Sequence, residues 1–312
     1  MRLAAVRHEG RTHAAFLFDD RAYLIDDVAV GSQGRRLDLP PGSRELLEPG
    51  DVQLRLRALF EALPRVAAGG DVRAHDLSTL ASPVPRPGKI ICVGRNYGEH
   101  ARELGNEPPT RPILFAKLNN AVIGPYDDIV RPANVTDLDY EAELCVVIGL
   151  GGRNITEGDA PAHIAGYCCA NDVSARTEQL GMGDQWLRGK SHDTFCPIGP
   201  AIVTPDEIAD PQRLRIQCRV DGDVRQNDTT AGMTFDVVTL VSYISEAFTL
   251  EAGDLILTGT PAGVAMGRTP SPWLQPGQVC EVDIEGVGTL RNTIAAEPTV
   301  APEGTVAYTS AT

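Results

Sequence analysis

The strongest constraint on this chain is the stretch Asp139-Tyr140-Glu141-Ala142-Glu143-Leu144-Cys145-Val146-Val147-Ile148-Gly149. Its second half is apolar and rich in β-branched residues, which favours a buried strand. Side chains alternate faces along a strand, so Glu141 and Glu143 point the same way, together with Cys145 and Val147. Two carboxylates on one apolar face repel each other and lose hydration. Two arrangements relieve this. Either the run is an edge strand with both glutamates in water, or a positive group sits between them. A hard divalent cation bound by oxygen ligands is the simplest such group.

A length of 312 residues gives room for one large domain plus a small one, or for two domains. The formal net charge of −14 argues against nucleic acid or an anionic membrane as the main partner. A small acidic substrate remains compatible wherever Lys and Arg cluster locally. No run of about 18 apolar residues occurs, so no membrane-spanning helix is expected. The N-terminus turns charged at Arg7, His8, Glu9 and Arg11, too early for a signal peptide. The seven cysteines form no Cys-x-x-Cys pair, which excludes zinc-ribbon and thioredoxin readings. They read as reduced, mostly buried thiols, and the expected location is cytoplasmic.

Residues 1–82 read as a small separate unit. Ala14–Phe18 and Arg21–Ile25 flank Asp19-Asp20 as a hairpin, and Asp51 opens a helix carrying Val52, Leu56, Leu59, Phe60 and Leu63 that Pro64 should close. His8, His13 and His75 are isolated and read as surface or capping residues. Pro83, Pro85 and Pro87 make residues 82–88 an extended linker and set the domain boundary.

Beyond the linker, Lys89–Gly94 reads as a buried strand. A short helix over Tyr97–Leu104 would put His100 and Glu103 on one face. A carboxylate beside an imidazole orients it and raises its basicity, as a general base requires. Surface helices often carry the same pair, so the signal is weak alone. Flanking glycines and Glu107-Pro108-Pro109 suggest a mobile lid. Pro112–Lys117 is a strand ending in a lone Lys. Gly166–Gln179 reads as a strand and then a helix start, with Asp172 at the strand end as a candidate third carboxylate. Arg176 and Lys190 follow soon after. Trp186–Phe195 reads as a polar loop. Leu214–Val220 alternates strictly and turns at Asp221-Gly222, and Asp236 caps a helix with Val237, Leu240, Val241, Ile244 and Phe248. Asp254–Leu257 leads into Thr258–Val264, a glycine-rich loop that offers N–H and hydroxyl donors to an anion but lacks the Gly-Lys-Ser/Thr of a P-loop. Val282–Glu285 and Gly288–Leu290 suggest a last hairpin, and residues 296–312 a flexible tail. Strands outnumber helices without regular alternation, so the fold class is α+β with a β-rich core.

Four blocks carry a resemblance: Gly94-Arg95-Asn96-Tyr97 with His100 and Glu103; Glu141-Ala142-Glu143; Asn171-Asp172-Val173-Ser174-Ala175-Arg176 with Gln179; and Leu257-Thr258-Gly259-Thr260-Pro261-Ala262-Gly263-Val264. In this order they resemble the fumarylacetoacetate hydrolase family, in its bacterial type with an N-terminal accessory domain. The resemblance implies a mixed β-sheet roll with short flanking helices over residues 83–295, plus a small α/β domain over 1–82. It implies Mg²⁺ or Mn²⁺, or Ca²⁺ as in some members, on Glu141, Glu143 and Asp172. It implies His100 and Glu103 as the base pair, with Lys190, Arg176 and Gln179 around the reacting centre. Arg95, Tyr97, Lys117 and Thr260 would contact substrate, Thr260 at its carboxylate. Members are usually homodimers.

Family substrates are small 2-oxo or 2,4-dioxo carboxylates. The metal acts on them as a Lewis acid, and Lys190 and Arg176 add positive charge where an enolate develops. The favoured activity is hydrolysis of a C–C bond in an acylpyruvate or fumarylpyruvate-like acid through a metal-bound enolate. The same site suits decarboxylation or isomerisation of a 2-hydroxymuconate-type intermediate, a ureidoglycolate-type lyase, or a non-catalytic binding protein. The chain departs from the family at Thr177, where Asp is common, and at His192, where Phe is common. His192 is either a loop histidine or a substrate contact.

Overall fold

The computed structural model describes residues 1–298. The Glu143 strand, Ala142–Ile148, lies inside a large sheet with every residue buried, which settles against a wet edge strand. The sheet runs Arg21–Leu24, Arg11–Phe18, Arg2–His8, Cys196–Val203, Ile164–Asn171, Ala142–Ile148, Leu255–Leu257, Ile90–Gly94 and Ile113–Lys117. Neighbours are antiparallel except Leu255–Leu257 beside Ile90–Gly94, which are parallel. A second, five-stranded sheet runs Asp223–Thr229, Arg215–Val220, Val279–Ile284, Gly288–Ala296 and Ile129–Arg131. The strand-rich α+β class expected from the sequence is the class observed.

The turn signals hold. Asp19 and Asp20 both take positive φ, as do Asp221 and Gly222, the geometry that two-residue hairpins need. The Asp236 carboxylate accepts the Thr239 N–H and caps the helix Val237–Ala247.

Several expectations change. Residues 1–82 do not form a detached unit, because Arg2 and Leu3 pair with Val203 and Ile202 and extend the large sheet. The Met1 ammonium donates to Thr204 Oγ1 at 2.8 Å. The proline-rich segment is no free spacer either: Ser82, Pro83, Val84 and Pro87 are buried. The helix opened by Asp51 runs to Ala68, through Pro64. Burial of Leu63 and Val66 holds the last turn against the core and outweighs the lost N–H. Trp186–Lys190 is a short helix rather than a loop. His75 is buried rather than at the surface, and its ring lies 4.9 Å from that of His8. All seven cysteines are buried and unpaired among the described residues. No helix among the described residues is long and apolar enough to cross a membrane. The expected tail begins in the final strand, which ends at Ala296, and its residues 299–312 lie outside the described ones.

Candidate active site

Two adjacent strands build the centre. Ala142 pairs with Asn171 and Glu143 with Ala170, so Asp172 follows directly beside Glu141. The Glu141 N–H donates to Asn171 Oδ1 at 3.0 Å, and the Asp172 N–H to the Glu141 carbonyl at 2.9 Å. Oxygens of Glu141, Glu143 and Asp172 lie within 4.8 Å of one another, and all three residues are buried.

Buried cations surround this triad. Lys190 Nζ lies 2.8 Å from both Glu141 Oε2 and Asp172 Oδ2, and Lys117 Nζ lies 2.6 Å from Asp172 Oδ1. Arg176 Nη2 touches Glu141 Oε1 at 2.7 Å, its Nε donates to Asp139 Oδ2 at 2.8 Å, and its Nη1 donates to Gln179 Oε1 at 3.0 Å. Glu143 pairs with none of these cations and, among the described residues, accepts only the Gly259 N–H, at 2.7 Å. The electrostatics follow. Burial opposes ionisation of Glu141, but Lys190 and Arg176 outweigh it and pull its carboxyl down to about 2. Burial, with Asp172 and Glu141 beside it, holds Glu143 well above the ordinary carboxylate range. Four buried carboxylates, Asp139 included, thus face three buried cations, and Glu143, once ionised, is the one left without a partner charge. An all-oxygen donor set with uncompensated negative charge fits a hard divalent cation.

The lid helix Gly98–Glu103 closes over the triad. His100 Nδ1 lies 3.4 Å from Glu103 Oε2, and both Glu103 oxygens accept the Gly263 N–H, at 3.0 and 3.1 Å. Gly263 has φ +108° and would drive a Cβ into the Arg225 carbonyl, so only glycine presents this N–H to the lid. Gly267 packs directly on the Glu103 side chain. The segment expected to be mobile is docked here. The short helix Trp186–Lys190 delivers Lys190. A Cβ on Gly189 would lie 2.5 Å from the Gln179 nitrogen, so glycine permits this approach to the turn bearing Arg176 and Gln179.

The result is a small cavity of about 90 Å³. Arg95, His100, Glu141, Glu143, Arg176, Gln179, Lys190 and Thr260 line it. Leu104, Asn106, Leu180 and Met266 complete its walls. Glu103 backs His100, while Asp172 and Lys117 sit beneath the floor. Tyr97 stands away from the cavity with its ring against Gly232. Its phenol is buried without a partner, and burial raises its pKa. The Thr260 hydroxyl donates to the Ala142 carbonyl at 2.9 Å and accepts from Gln226 Nε2 at 2.8 Å, so its hydrogen points into the sheet. His192 does not line the cavity: its Nε2 lies 3.0 Å from Glu178 Oε2 and its ring 5.0 Å from that of Phe195. The Thr177 N–H donates to Asp137 Oδ2 at 2.6 Å.

Sequence reasoning missed three contributors. Asp139 anchors Arg176. Asn96 ties the lid base to Phe235 and to the Thr258 carbonyl. Trp186 lines the mouth. Asp139 did carry a signal, because it shares strand parity with Glu141 and Glu143.

A strand-rich core holding an acidic triad, with a His–Glu pair closed over it, defines a class of enzymes that work on small molecules beside a metal. The fumarylacetoacetate (FAA) hydrolase C-terminal family matches residues 89–295. The chain belongs to the fumarylacetoacetate hydrolase family. It is 45% identical over 259 residues to "Oxaloacetate tautomerase FAHD2A, mitochondrial" from Bos taurus, covering 82% of this chain and 80% of that one. A fumarylacetoacetate hydrolase from Exiguobacterium antarcticum superposes with TM-score 0.74 at 35% identity, over 95% of this chain and 100% of that one. A 5-carboxymethyl-2-hydroxymuconate delta-isomerase from Mycobacterium smegmatis gives TM-score 0.71 at 31% identity, over 96% and 100%.

These relatives include a tautomerase, a hydrolase and an isomerase, so membership fixes the enzyme family and not the reaction. The bacterial-type placement draws no support from the curated tautomerases, which are animal proteins. The cytoplasmic expectation is overturned, because those same relatives are named as mitochondrial.

Proposed function

We propose that the chain is a divalent-metal-dependent keto–enol tautomerase of a small 2-oxo acid, with oxaloacetate the first substrate to test. One observation carries this reading: an imidazole backed by a carboxylate closes over an acidic triad in a small cavity that Lys190 and Arg176 also line, the groups a 2-oxo acid needs to form an enolate. The 45% identity to the cattle tautomerase supports it.

Mg²⁺ or Mn²⁺ (Ca²⁺ is the third candidate) on Glu141, Glu143 and Asp172 would supply Lewis-acid polarisation of the 2-oxo group. The residues do the rest. Glu103 holds His100 through Nδ1, which leaves Nε2 to shuttle a proton between C3 and the oxygen at C2. Lys190 and Arg176 offset negative charge developing on that oxygen. Glu103, docked on the Gly263 N–H, keeps the imidazole over the substrate, so the proton it takes is returned there. We further propose a homodimer, with residues 83–295 as the catalytic unit.

A second reading is hydrolysis of a C–C bond in a 2,4-dioxo acid, favoured by the likeness to the Exiguobacterium hydrolase. There the His100–Glu103 pair would draw its proton from water. Ultraviolet absorbance of enol-oxaloacetate, with mass analysis of products, separates the two. Tautomerisation predicts accelerated loss of the enol with mass unchanged, abolished by chelator. Addition of water to an acylpyruvate, with the enol decay of oxaloacetate unaccelerated, would replace this reading by the second.

Metal binding carries its own pH signature. Because Glu143 is held above the ordinary carboxylate range, it keeps its proton to higher pH, and an arriving ion must displace it. Affinity should rise with pH through that titration and flatten above it. Calorimetry with Mg²⁺ in two buffers of different ionisation enthalpy should show about one proton released per ion at the low end. Equal release from Glu143→Gln would contradict the assignment.

A further inference from the structure

Every cation in the site except one is matched. Lys190, Lys117 and Arg176 each contact a buried carboxylate. Arg95 also lines the cavity, yet no carboxylate among the described residues lies within ion-pair distance of it. Nor does its guanidinium hang free. Its Cζ stands 6.0 Å from the centre of the Trp186 ring, close enough for cation–π attraction.

The platform beneath it is fixed. Trp186 meets Phe115 edge to face at 5.2 Å. A Cβ on Gly94 would come within 2.9 Å of Trp186 Cζ3, so glycine is what lets the indole lie against the strand end. Arg95 itself adopts φ +57°, a left-handed conformation that strains a non-glycine residue. Strain of that kind persists where the surroundings over-determine a conformation, as at a ligand clamp. A strained backbone, an aromatic seat and an unmatched guanidinium together present a fork of N–H donors in the cavity that Glu141 and Glu143 also line, and planar carboxylates suit that fork.

We propose that Arg95, seated on Trp186, receives the distal carboxylate of the substrate and sets a preference for dicarboxylic over neutral-tailed 2-oxo acids. This rests on the triad holding the 2-oxo end, as in the reading above, and adds which residue reads the other end. The remaining cations are committed to protein carboxylates, so a monocarboxylate would leave Arg95 unmatched. A dicarboxylate completes the charge pattern.

Equilibrium binding of unreactive ligands tests this apart from turnover. Malate and 2-hydroxybutanoate share the 2-hydroxy acid end and differ in a tail of carboxylate or methyl. Titration calorimetry of the Mg²⁺-loaded protein should show malate binding at least about tenfold tighter, the scale of one charge-assisted pair. Arg95→Met should weaken malate by about tenfold or more and leave 2-hydroxybutanoate within about threefold. Arg95→Lys should fall between, since a point charge lacks the fork. The proposal is overturned if wild-type protein gives malate no advantage, or if Arg95→Met weakens both ligands equally. Failure of the tautomerase reading shows elsewhere, as absent enol decay with malate discrimination intact.

Discussion

His100→Ala is expected to lower kcat for the keto–enol conversion by about 10²–10⁴-fold, the range for loss of a positioned general base. The fold and metal affinity should survive. His100 takes no part in the triad, and Glu103 keeps both contacts with the Gly263 N–H after the imidazole is gone. The lid therefore retains its anchor while losing its base. KM should change little, because the imidazole acts on the proton in flight and not on ground-state binding. Glu103→Gln should give a smaller fall. It keeps an acceptor for Gly263 but removes the charge that favours a protonated imidazole. Steady-state kinetics, Mg²⁺ titration and urea denaturation of each variant check this. A His100→Ala enzyme within about threefold of wild-type kcat would move the base to another residue.

Legibility in the sequence tracked the range of the interaction. Strand alternation is local, and it put Glu141 and Glu143 on one face before any tertiary contact was known. Spacing along one helical turn did the same for His100 and Glu103. Four separated motifs gave the family. Missed features depend on contacts between distant segments. Asp139 looked like one acid among several, because its partners at Arg176, Ala265 and Met266 are remote in sequence. Trp186–Lys190 read as a loop because the stretch around it is polar, and Gly189 carried no signal of its own. Its role is a close approach to Gln179, which no local pattern announces. Residues 1–82 read as separate because prolines follow them. They join the large sheet through backbone hydrogen bonds at a strand edge, which leave no side-chain signature. The compartment was not legible, since buried reduced thiols suit any reducing space. Reaction type was not legible either. Hydrolysis and tautomerisation ask the same His–Glu pair for one proton and differ only in what meets the substrate next.

Asp139→Ala should be the most destabilising single change near the site, by about 3–5 kcal/mol, the cost of breaking a buried ion pair by removing one partner. The side chain is fully buried and accepts four bonds. Its Oδ1 takes the Tyr140 N–H at 2.9 Å and the Ala265 N–H at 2.7 Å, and its Oδ2 takes Arg176 Nε at 2.8 Å and the Met266 N–H at 3.0 Å. Alanine leaves all four donors without this acceptor, and Arg176 keeps Glu141 as its one remaining carboxylate. The strand then loses its tie to the loop at 265–267, where Gly267 packs on Glu103 and Met266 lines the cavity. KM should therefore rise along with the loss of stability. Asp139→Asn is the sharper control. An amide accepts at one oxygen only, so its NH₂ must face two donors, and it should be nearly as damaging as alanine despite its matching shape. Urea denaturation with an unchanged m-value measures both variants. An asparagine variant within about 1 kcal/mol of wild type would show that shape, not charge, holds Arg176 and the 265–267 loop in place.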